Sequence, residues 1–306
     1  MGLKPGAIEE LKIKTETYYA LQKLRIQAQL RIKAFVRDER LNEASSSNLH
    51  FWLDKHIRDK EDAIKEDITE AIKDIPIWKE FLKGIYGIGP CLAGSFIAGI
   101  HDISRFRHVA SLWKYAGMDV ILHCPKCHKE VERTGKVVEV CPECNVEAHG
   151  EAPRRVKNQK ISWNPFLRMT VFKATDSFIK QNAEKSLYRQ LYDDKKRFYR
   201  RKFPEWNRCR VCGSALVERQ GKPDRCSKNG CKGQSGGIPH PIRKKKDGTP
   251  VYIHTKDHIH MMSKRYAGKI FLEHLWLNWR ELEGLSVTKP WIIEHGGHRD
   301  YIEAAA

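Results

Sequence analysis

The sequence has no long apolar segment. Its longest uncharged stretch, Gly84 to Ile100, is interrupted by five glycines and Pro90, and it is shorter than the roughly 20 apolar residues of a membrane-spanning helix. The first residues also lack the apolar core of a secretory signal, because Lys4 and a polar run stand there. We therefore expect a protein of the cytoplasm that has no membrane partner.

Acidic residues are few relative to basic ones. The 306 residues include 56 Lys and Arg against 38 Asp and Glu, so the formal net charge is +18, while an apolar content of 41% excludes general disorder. Residues 1–80 hold 15 side chains of each sign, whereas residues 153–210 hold 17 basic and 5 acidic ones. Such a segment is typical of a surface that binds a nucleic-acid backbone. The alternative is a solvated helix face that serves solubility.

Eight of the nine cysteines fall into two sets of four. Each CxxC turn places two thiolates on one side of a loop, so two turns can complete a tetrahedral zinc site. Disulfides would instead require an oxidising compartment. Four thiolates leave no open coordination position, so we expect two structural zinc ions and no catalytic metal. The predicted ligands are Cys124, Cys127, Cys141 and Cys144 in the first set and Cys209, Cys212, Cys226 and Cys231 in the second.

The N-terminal part predicts an antiparallel coiled-coil hairpin. One helix is expected over 7–40, the polar run 42–48 breaks it, and a second helical stretch follows over 51–73. The hairpin is either packed within the protein or an exposed arm that holds a partner chain or RNA. The apolar stripe of the first helix is expected to be Ile13, Thr17, Leu21, Leu24, Ala28, Ile32 and Phe35.

A glycine-rich turn follows the hairpin. Gly87 and Gly89 flank one apolar residue, and an alanine stands four residues after Gly89. Such glycines let the backbone turn sharply and direct free amides at a phosphate. The pattern is similar to the helix-hairpin-helix element of nucleic-acid-binding proteins. The alternative is an ordinary tight corner between two helices.

The remaining pattern predicts a mostly α-helical fold with two inserted zinc ribbons. A basic helix is expected from Asn164 to about Arg201, a Gly/Pro loop carries the basic run 243–246, and a last helix covers about 258–282. The expected order is a hairpin over 1–80, the glycine-rich turn and the first part of a helical domain over 81–120, zinc ribbon 1 over 121–150, the basic continuation over 151–205, zinc ribbon 2 over 206–235, and a basic loop with the C-terminal helix over 236–306.

No side chains form a convincing catalytic pattern. Asp193 with Asp194, and Glu281 with Glu283, lie at helix spacings that point the carboxylates apart. Histidines at 254, 258 and 260 and in the tail 294–298 stand in no recognised metal-binding spacing. We assign no catalytic residue.

Four motifs carry a family resemblance. They are GIYGIGP over 84–90, DISRF over 102–106, LWKYAGM over 112–118 and ISWNPFLR over 161–168. In this order they resemble the C-terminal half of the bridge-RNA-guided insertion-sequence transposases. That half is similar to the Nop domain of box C/D RNA-binding proteins, which also joins a coiled coil to a helical RNA-binding module.

The chain departs from those transposases in two ways. They begin with a RuvC-like domain that supplies four acidic residues, and nothing ahead of Ile13 corresponds to it. They also use a serine nucleophile between the third and fourth motifs, whereas residues 119–161 contain no serine. Ser162 matches a serine that is not the nucleophile, and Trp163 stands where the family has a longer Lys-x-Gly segment. The resemblance therefore implies binding without cutting.

A coiled coil and a Nop-like module without a nuclease resemble the nuclease-lacking Tas proteins of tandem-interspaced guide RNA systems, which are prokaryotic and phage-encoded. The resemblance implies a homodimer that holds a guide RNA and directs it to target DNA. Two alternatives stay open: a divergent transposase that acts with a separate RuvC-like subunit, and a scaffold protein on box C/D-type RNA. The residues expected to contact nucleic acid are Lys83, Gly87, Gly89, Arg105, Arg107, Lys114, Arg154, Arg155, Lys157, Asn164, Arg168, Arg197, Arg200, Arg201, Lys202, Lys264 and Arg265.

Overall fold

The computed structural model of the protein describes residues 5–287, except 133, 135–137, 156–157, 159 and 220–222. Over these residues the fold is mostly helical, as predicted, and none of the helices has the length and apolar content to cross a membrane. The helices are α1 (Pro5–Arg37), α2 (Glu43–Leu53), α3 (Asp59–Ile72), α4 (Pro76–Glu80), α5 (Pro90–Ile100), α6 (Val109–Tyr115), α7 (Pro165–Ile179), α8 (Leu187–Lys202) and α9 (Lys256–Leu282).

Short antiparallel strand pairs accompany the helices. The pair β1 (Ile121–His123) and β2 (His149–Glu151) belongs to ribbon 1, and β3 (Leu216–Val217) with β4 (Arg225–Cys226) belongs to ribbon 2. A third pair, β5 (Ile238–Lys244) and β6 (Pro250–Ile253), occupies the segment expected to be a Gly/Pro loop. The sequence contains a signal for this hairpin, because Asp247-Gly248 is a favoured turn and Gly248 has a φ of +80°.

The N-terminal helices form the expected antiparallel hairpin. Arg25 on α1 pairs with Glu61 on α3 at 2.7 Å, and Lys14 lies 3.8 Å from Asp67, so positions on the two helices run in opposite directions. A five-residue π-helical turn, Asp54–Arg58, joins α2 to α3.

The expected break at 42–48 is wrong. Asn42 caps α2, since its side chain accepts a hydrogen bond from the Ser45 backbone N–H at 2.8 Å, and the serine-rich run is helical. Asparagine and serine favour helix starts, and this preference decides the local structure here. The chain instead turns over residues 38–42, where Glu39 adopts a φ of +56°.

The expected apolar stripe of α1 is also wrong in most of its positions. Ile13 is 64% exposed and Leu24 is 51% exposed, whereas Ile8, Leu11 and Ile32 are buried. The buried positions follow a three-four spacing that includes polar residues such as Thr15, and Arg25 lies on the same face. An apolar pattern alone could not identify a face whose middle is an ion pair.

One hydrophobic core joins the base of the hairpin to the C-terminal helix. It extends from Leu11 and Ile68 through α5 and α7 to Trp276 on α9. Trp276 is fully buried, and its indole N–H donates to the Phe106 carbonyl at 2.7 Å. Helix α9 contacts α4, α6, α7 and α8, so it holds the basic helices in place.

The basic helix expected from Asn164 to Arg201 is two helices. Helix α7 ends at Ile179 and α8 begins at Leu187. Ser186 caps α8, because its hydroxyl accepts from the Arg189 backbone N–H at 3.3 Å, and the Asn182 side chain stabilises the turn before it by accepting from the Glu184 N–H at 2.8 Å.

We predict that Glu61→Ala destabilises the protein strongly. The Glu61 side chain is 4% exposed and that of Arg25 is 14% exposed, so the substitution leaves a nearly buried cation without its counter-charge. Removing one partner of such a pair costs about 3–5 kcal/mol. Urea denaturation measures this loss.

The matched control is Glu70→Ala on the same helix, where the ion pair with Lys73 is exposed to solvent, so we expect a much smaller loss of stability. Equal losses of unfolding free energy in the two variants would contradict the burial of the Arg25–Glu61 pair.

Candidate nucleic-acid interface and metal sites

The first cysteine set converges as predicted. The four sulfur atoms of Cys124, Cys127, Cys141 and Cys144 lie within 4.8 Å of one another. The residues after the two CxxC turns, His128 and Asn145, have φ values of +63° and +50°. Their N–H groups donate to the carbonyls of Cys124 and Cys141 at 2.9 Å. These bonds close two tight loops and leave the sulfurs facing each other.

Backbone amides prepare the first set for metal. The N–H groups of Cys127 and Lys126 each donate to the Cys124 sulfur at 3.4 Å. Donation from the Cys127 N–H is the main reason that the pKa of Cys124 falls to about 6. A thiolate is the form that binds zinc, so this cysteine is suited to be a ligand at neutral pH.

The second cysteine set also converges. The Cys209 and Cys231 sulfurs are 3.7 Å apart, and those of Cys212 and Cys226 are 3.3 Å apart. Two sulfurs on one tetrahedral zinc ion lie about 3.8 Å apart. Gly213 has a φ of +75° and closes the first turn in the same way as in ribbon 1. Each set can therefore hold one zinc ion.

A third group of possible ligands, His149, Glu151 and His240, lies where ribbon 1 meets the β5–β6 hairpin. Arg243 and Arg154 each approach Glu151 at 3.3 Å. Burial lowers the pKa of His240 to about 4, so this ring is neutral at pH 7.

Both ring nitrogens of His240 face protein groups. Its Nδ1 lies 3.1 Å from the Arg243 backbone nitrogen, and its Nε2 lies 2.9 Å from Arg243 Nε and 3.0 Å from a Glu151 carboxylate oxygen. These contacts to the Glu151 carboxylate join ribbon 1 to the β5–β6 hairpin.

Of the histidines at 254, 258 and 260, the last two have side-chain hydrogen bonds to neighbours. His258 Nδ1 accepts from the His254 backbone N–H at 2.9 Å, and His260 Nδ1 lies 2.6 Å from the Tyr192 hydroxyl. Among the residues that the structure describes, these three gather into no metal-binding group. The histidines of the tail 294–298 lie outside the described residues.

The glycine-rich turn packs against α7. Gly87 has a φ of +96°, and a Cβ there would lie 3.0 Å from the Ser177 hydroxyl, which donates to the Gly87 carbonyl at 2.7 Å. Gly89 begins α5 and has open space where a Cβ would stand. Lys83 is exposed in a short 3-10 turn, Leu82–Gly84, that follows the five-residue α4. Close packing against α7 thus explains why position 87 is a glycine. Gly89 and Lys83, in contrast, are accessible to a ligand.

Three predicted cations near the second and third motifs are exposed. Arg105 lies over the rings of Phe106 and Tyr115, at 5.5 and 5.3 Å from their centres. Arg107 and Lys114 are exposed beside it in sequence. The charged groups of all three side chains are therefore accessible to a phosphate.

Helix α8 carries a second cationic surface. Arg200 pairs with Glu218 at 3.0 Å and lies over Trp206, and Arg197 pairs with Asp194. Arg201 and Lys202 are exposed, and no carboxylate of the described residues pairs with either of them. We call the set Arg197, Arg200, Arg201 and Lys202 the α8 surface.

A cleft of about 390 Å³ lies between the segment that follows ribbon 1 and the start of α7. Arg168 donates to the Pro153 carbonyl at 2.8 Å, and its guanidinium lies 5.0 Å from the centre of the Trp163 ring. We call this the cationic cleft; its lining includes Arg154, Arg155, Ile161, Trp163, Pro165 and Arg168.

Arg265 adds charge near the cleft. One of its Nη groups donates to the Asp119 carbonyl, but its Nε is buried without a hydrogen-bond partner. Burial, and then the charge of Arg168, lower the pKa of Arg265 to about 10. Two guanidinium groups that repel each other favour an anion nearby.

Two predicted contact residues have structural partners instead. Asn164 caps α7 by accepting from the Leu167 N–H at 3.2 Å, and its amide donates to the Tyr115 hydroxyl at 2.9 Å. Lys264 is buried and lies 2.5 Å from an Asp176 carboxylate oxygen. Lys157 lies outside the described residues.

Sequence reasoning assigned no role to Trp163, although it lines the cleft. The available signal was its position, since it replaces the longer Lys-x-Gly segment of the resembling transposases. The position shows that the sequence differs from those transposases here, but it does not show that Trp163 lies beside three arginines.

Comparison with known proteins relates one segment to a family. Residues 79–123 match the transposase IS116/IS110/IS902 family. The segment includes the glycine-rich turn, α5 and α6, and it covers 45 of the 306 residues. A search of curated proteins finds no match. The segment is thus transposase-like.

We predict that the purified protein contains two zinc ions per chain. Cys141→Ser and Cys226→Ser should each reduce the content to one, and the double variant to none, because each set forms its own site. Elemental analysis measures the content.

Cys91→Ser is the control and should keep both ions, since burial raises the pKa of the Cys91 thiol to about 11 and it belongs to neither set. Full zinc content in both single ligand variants would contradict the assignment.

Proposed function

We propose that this protein binds a structured guide RNA and directs it to DNA without a nuclease of its own. The observation that carries the proposal is the accumulation of cations without carboxylate partners on the α8 surface and in the cationic cleft. Arg155, Arg168, Arg201 and Lys202 form no ion pair with the described residues. Phosphates of a polynucleotide supply the missing charge.

The transposase-like segment supports a nucleic-acid ligand. It contains the glycine-rich turn, where Gly89 and Lys83 are accessible, and it ends at the first strand of ribbon 1. The cations of this segment, Arg105 and Lys114 among them, extend the basic surface beyond α8. Recognition of RNA through its backbone and shape fits such a spread of cations.

The residues that would cut are not apparent. Across the described ranges, the groups able to hold a metal are two cysteine sets and the histidine group at Glu151, and no three carboxylates converge. The interval 119–161 holds no serine, and Ser162 is exposed just before the cap of α7. The proposal accordingly assigns no cleavage step to this chain.

A second function is favoured by the family match. The chain would then be the DNA-binding part of a transposase whose carboxylates come from a separate subunit. Cleavage of a labelled strand with Mg²⁺, by this protein mixed with such a subunit and lost in Ser162→Ala, would favour it over the first proposal.

We predict that the variant Arg197→Ala, Arg201→Ala, Lys202→Ala binds structured RNA at least about tenfold more weakly at 150 mM salt. Its plot of log affinity against log salt should also be less steep, by about one unit for each phosphate that the variant no longer neutralises. Fluorescence anisotropy over a salt series measures both quantities.

The matched control removes three exposed cations from the charge-balanced hairpin, Arg31, Lys33 and Arg37. It should bind RNA nearly as well as the wild type. An equal loss in the control, or no loss in the α8 variant, would contradict the placement of the RNA.

A further inference from the structure

The cationic cleft combines positive charge with an aromatic wall. Among the residues that the structure describes, its lining has three arginines and no acidic residue. Arg154 shares Glu151 with Arg243, so one carboxylate serves two cations. Arg155 and Arg168 have no carboxylate partner in the part of the chain that the structure describes. The cleft therefore has unbalanced positive charge.

Trp163 is held firmly in this wall. Gly117 has a φ of +64°, and a Cβ at that position would lie 2.9 Å from Trp163 Cγ and 3.0 Å from Arg168 Cδ. The absence of a side chain at Gly117 lets the backbone press against both residues. The Arg168 guanidinium is held as well, by the Pro153 carbonyl and the Trp163 ring, whereas Arg154 and Arg155 are exposed.

Size and chemistry together select the ligand. About 390 Å³ falls within the roughly 300–1,000 Å³ range of small-ligand sites, so the cleft can admit one nucleotide unit but not a duplex. An aromatic face stacks on any base, and arginines bind phosphate.

We propose that the cationic cleft binds one unpaired nucleotide of the bound polynucleotide, with its base against Trp163 and its phosphate on Arg154 and Arg155. This inference rests on the proposed function. It adds the place on the protein where one nucleotide of the bound polynucleotide is unpaired. A paired base has both faces covered by its neighbours, so only an unstacked base offers a face to Trp163.

The test uses the full-length protein and two RNA probes, each with one 2-aminopurine: a 15-nucleotide single strand and a hairpin that holds the same segment paired. Trp163→Ala and Arg155→Ala should each weaken binding of the single strand about fivefold or more, while binding of the paired probe changes less than about twofold. Trp163→Phe should keep most of the affinity, because it keeps an aromatic face. The wild type should quench the 2-aminopurine of the single strand, and Trp163→Ala should not.

The controls separate the cleft from general charge and folding. Trp52→Ala removes a tryptophan that is 52% exposed on α2, and Arg31→Ala removes an exposed arginine of α1. Neither should change binding of the single strand. Arg155 is exposed, so its variant tests the cleft even if Trp163→Ala fails to fold, which circular dichroism detects.

The remaining outcomes show whether the cleft, the proposed function or both are wrong. Unchanged binding in the Trp163 and Arg155 variants of a protein that binds RNA would overturn the cleft and leave the proposed function intact. Equal loss for both probes would show that the cleft holds only the backbone, which also overturns the inference. Binding of free adenosine monophosphate that depends on Trp163, without binding of either RNA, would contradict both proposals.

Discussion

The burial of α9 is the constraint on which the rest of the molecule depends. Its apolar residues, with Phe271, Leu275 and Trp276 fully buried, fill the centre of the fold and contact helices α4 to α8. Because this one core also includes Leu11 at the base of the hairpin, the hairpin and the basic helices are fixed to each other. The packing positions helices α7 and α8, which carry Arg168 and the α8 surface.

Positive charge accumulates on the outside of that core. Some cations of this +18 chain pair with carboxylates, as Lys264 pairs with Asp176, whereas Arg168 and Arg201 pair with no carboxylate among residues 5–287 that the structure describes. The unpaired cations repel each other in the free protein, and a polyanion relieves that repulsion. The two cysteine sets contribute rigidity, because each closes its ribbon around a small buried cluster that a metal can complete.

The sequence predicted those features of the fold that depend on residues close together in the chain. The cysteine spacing predicted both cysteine sets, and the last helix was expected over about 258–282, close to its observed range of Lys256–Leu282. The packed face of α1 was not predictable, because an Arg25–Glu61 ion pair replaces apolar residues in its middle. The cationic cleft was only partly predictable: its arginines were expected to contact nucleic acid, but the meeting of Trp163 with Gly117 depends on tertiary packing.

The central claim is that the unpaired cations form a surface for a defined RNA. The most direct measurement is to purify the tagged protein from its native host, wash it with high salt and sequence the nucleic acid that remains bound. We expect one RNA species or one set of related structured RNAs, at close to one copy per protein assembly. Protein that emerges free of nucleic acid, or that carries only random fragments, would contradict this claim.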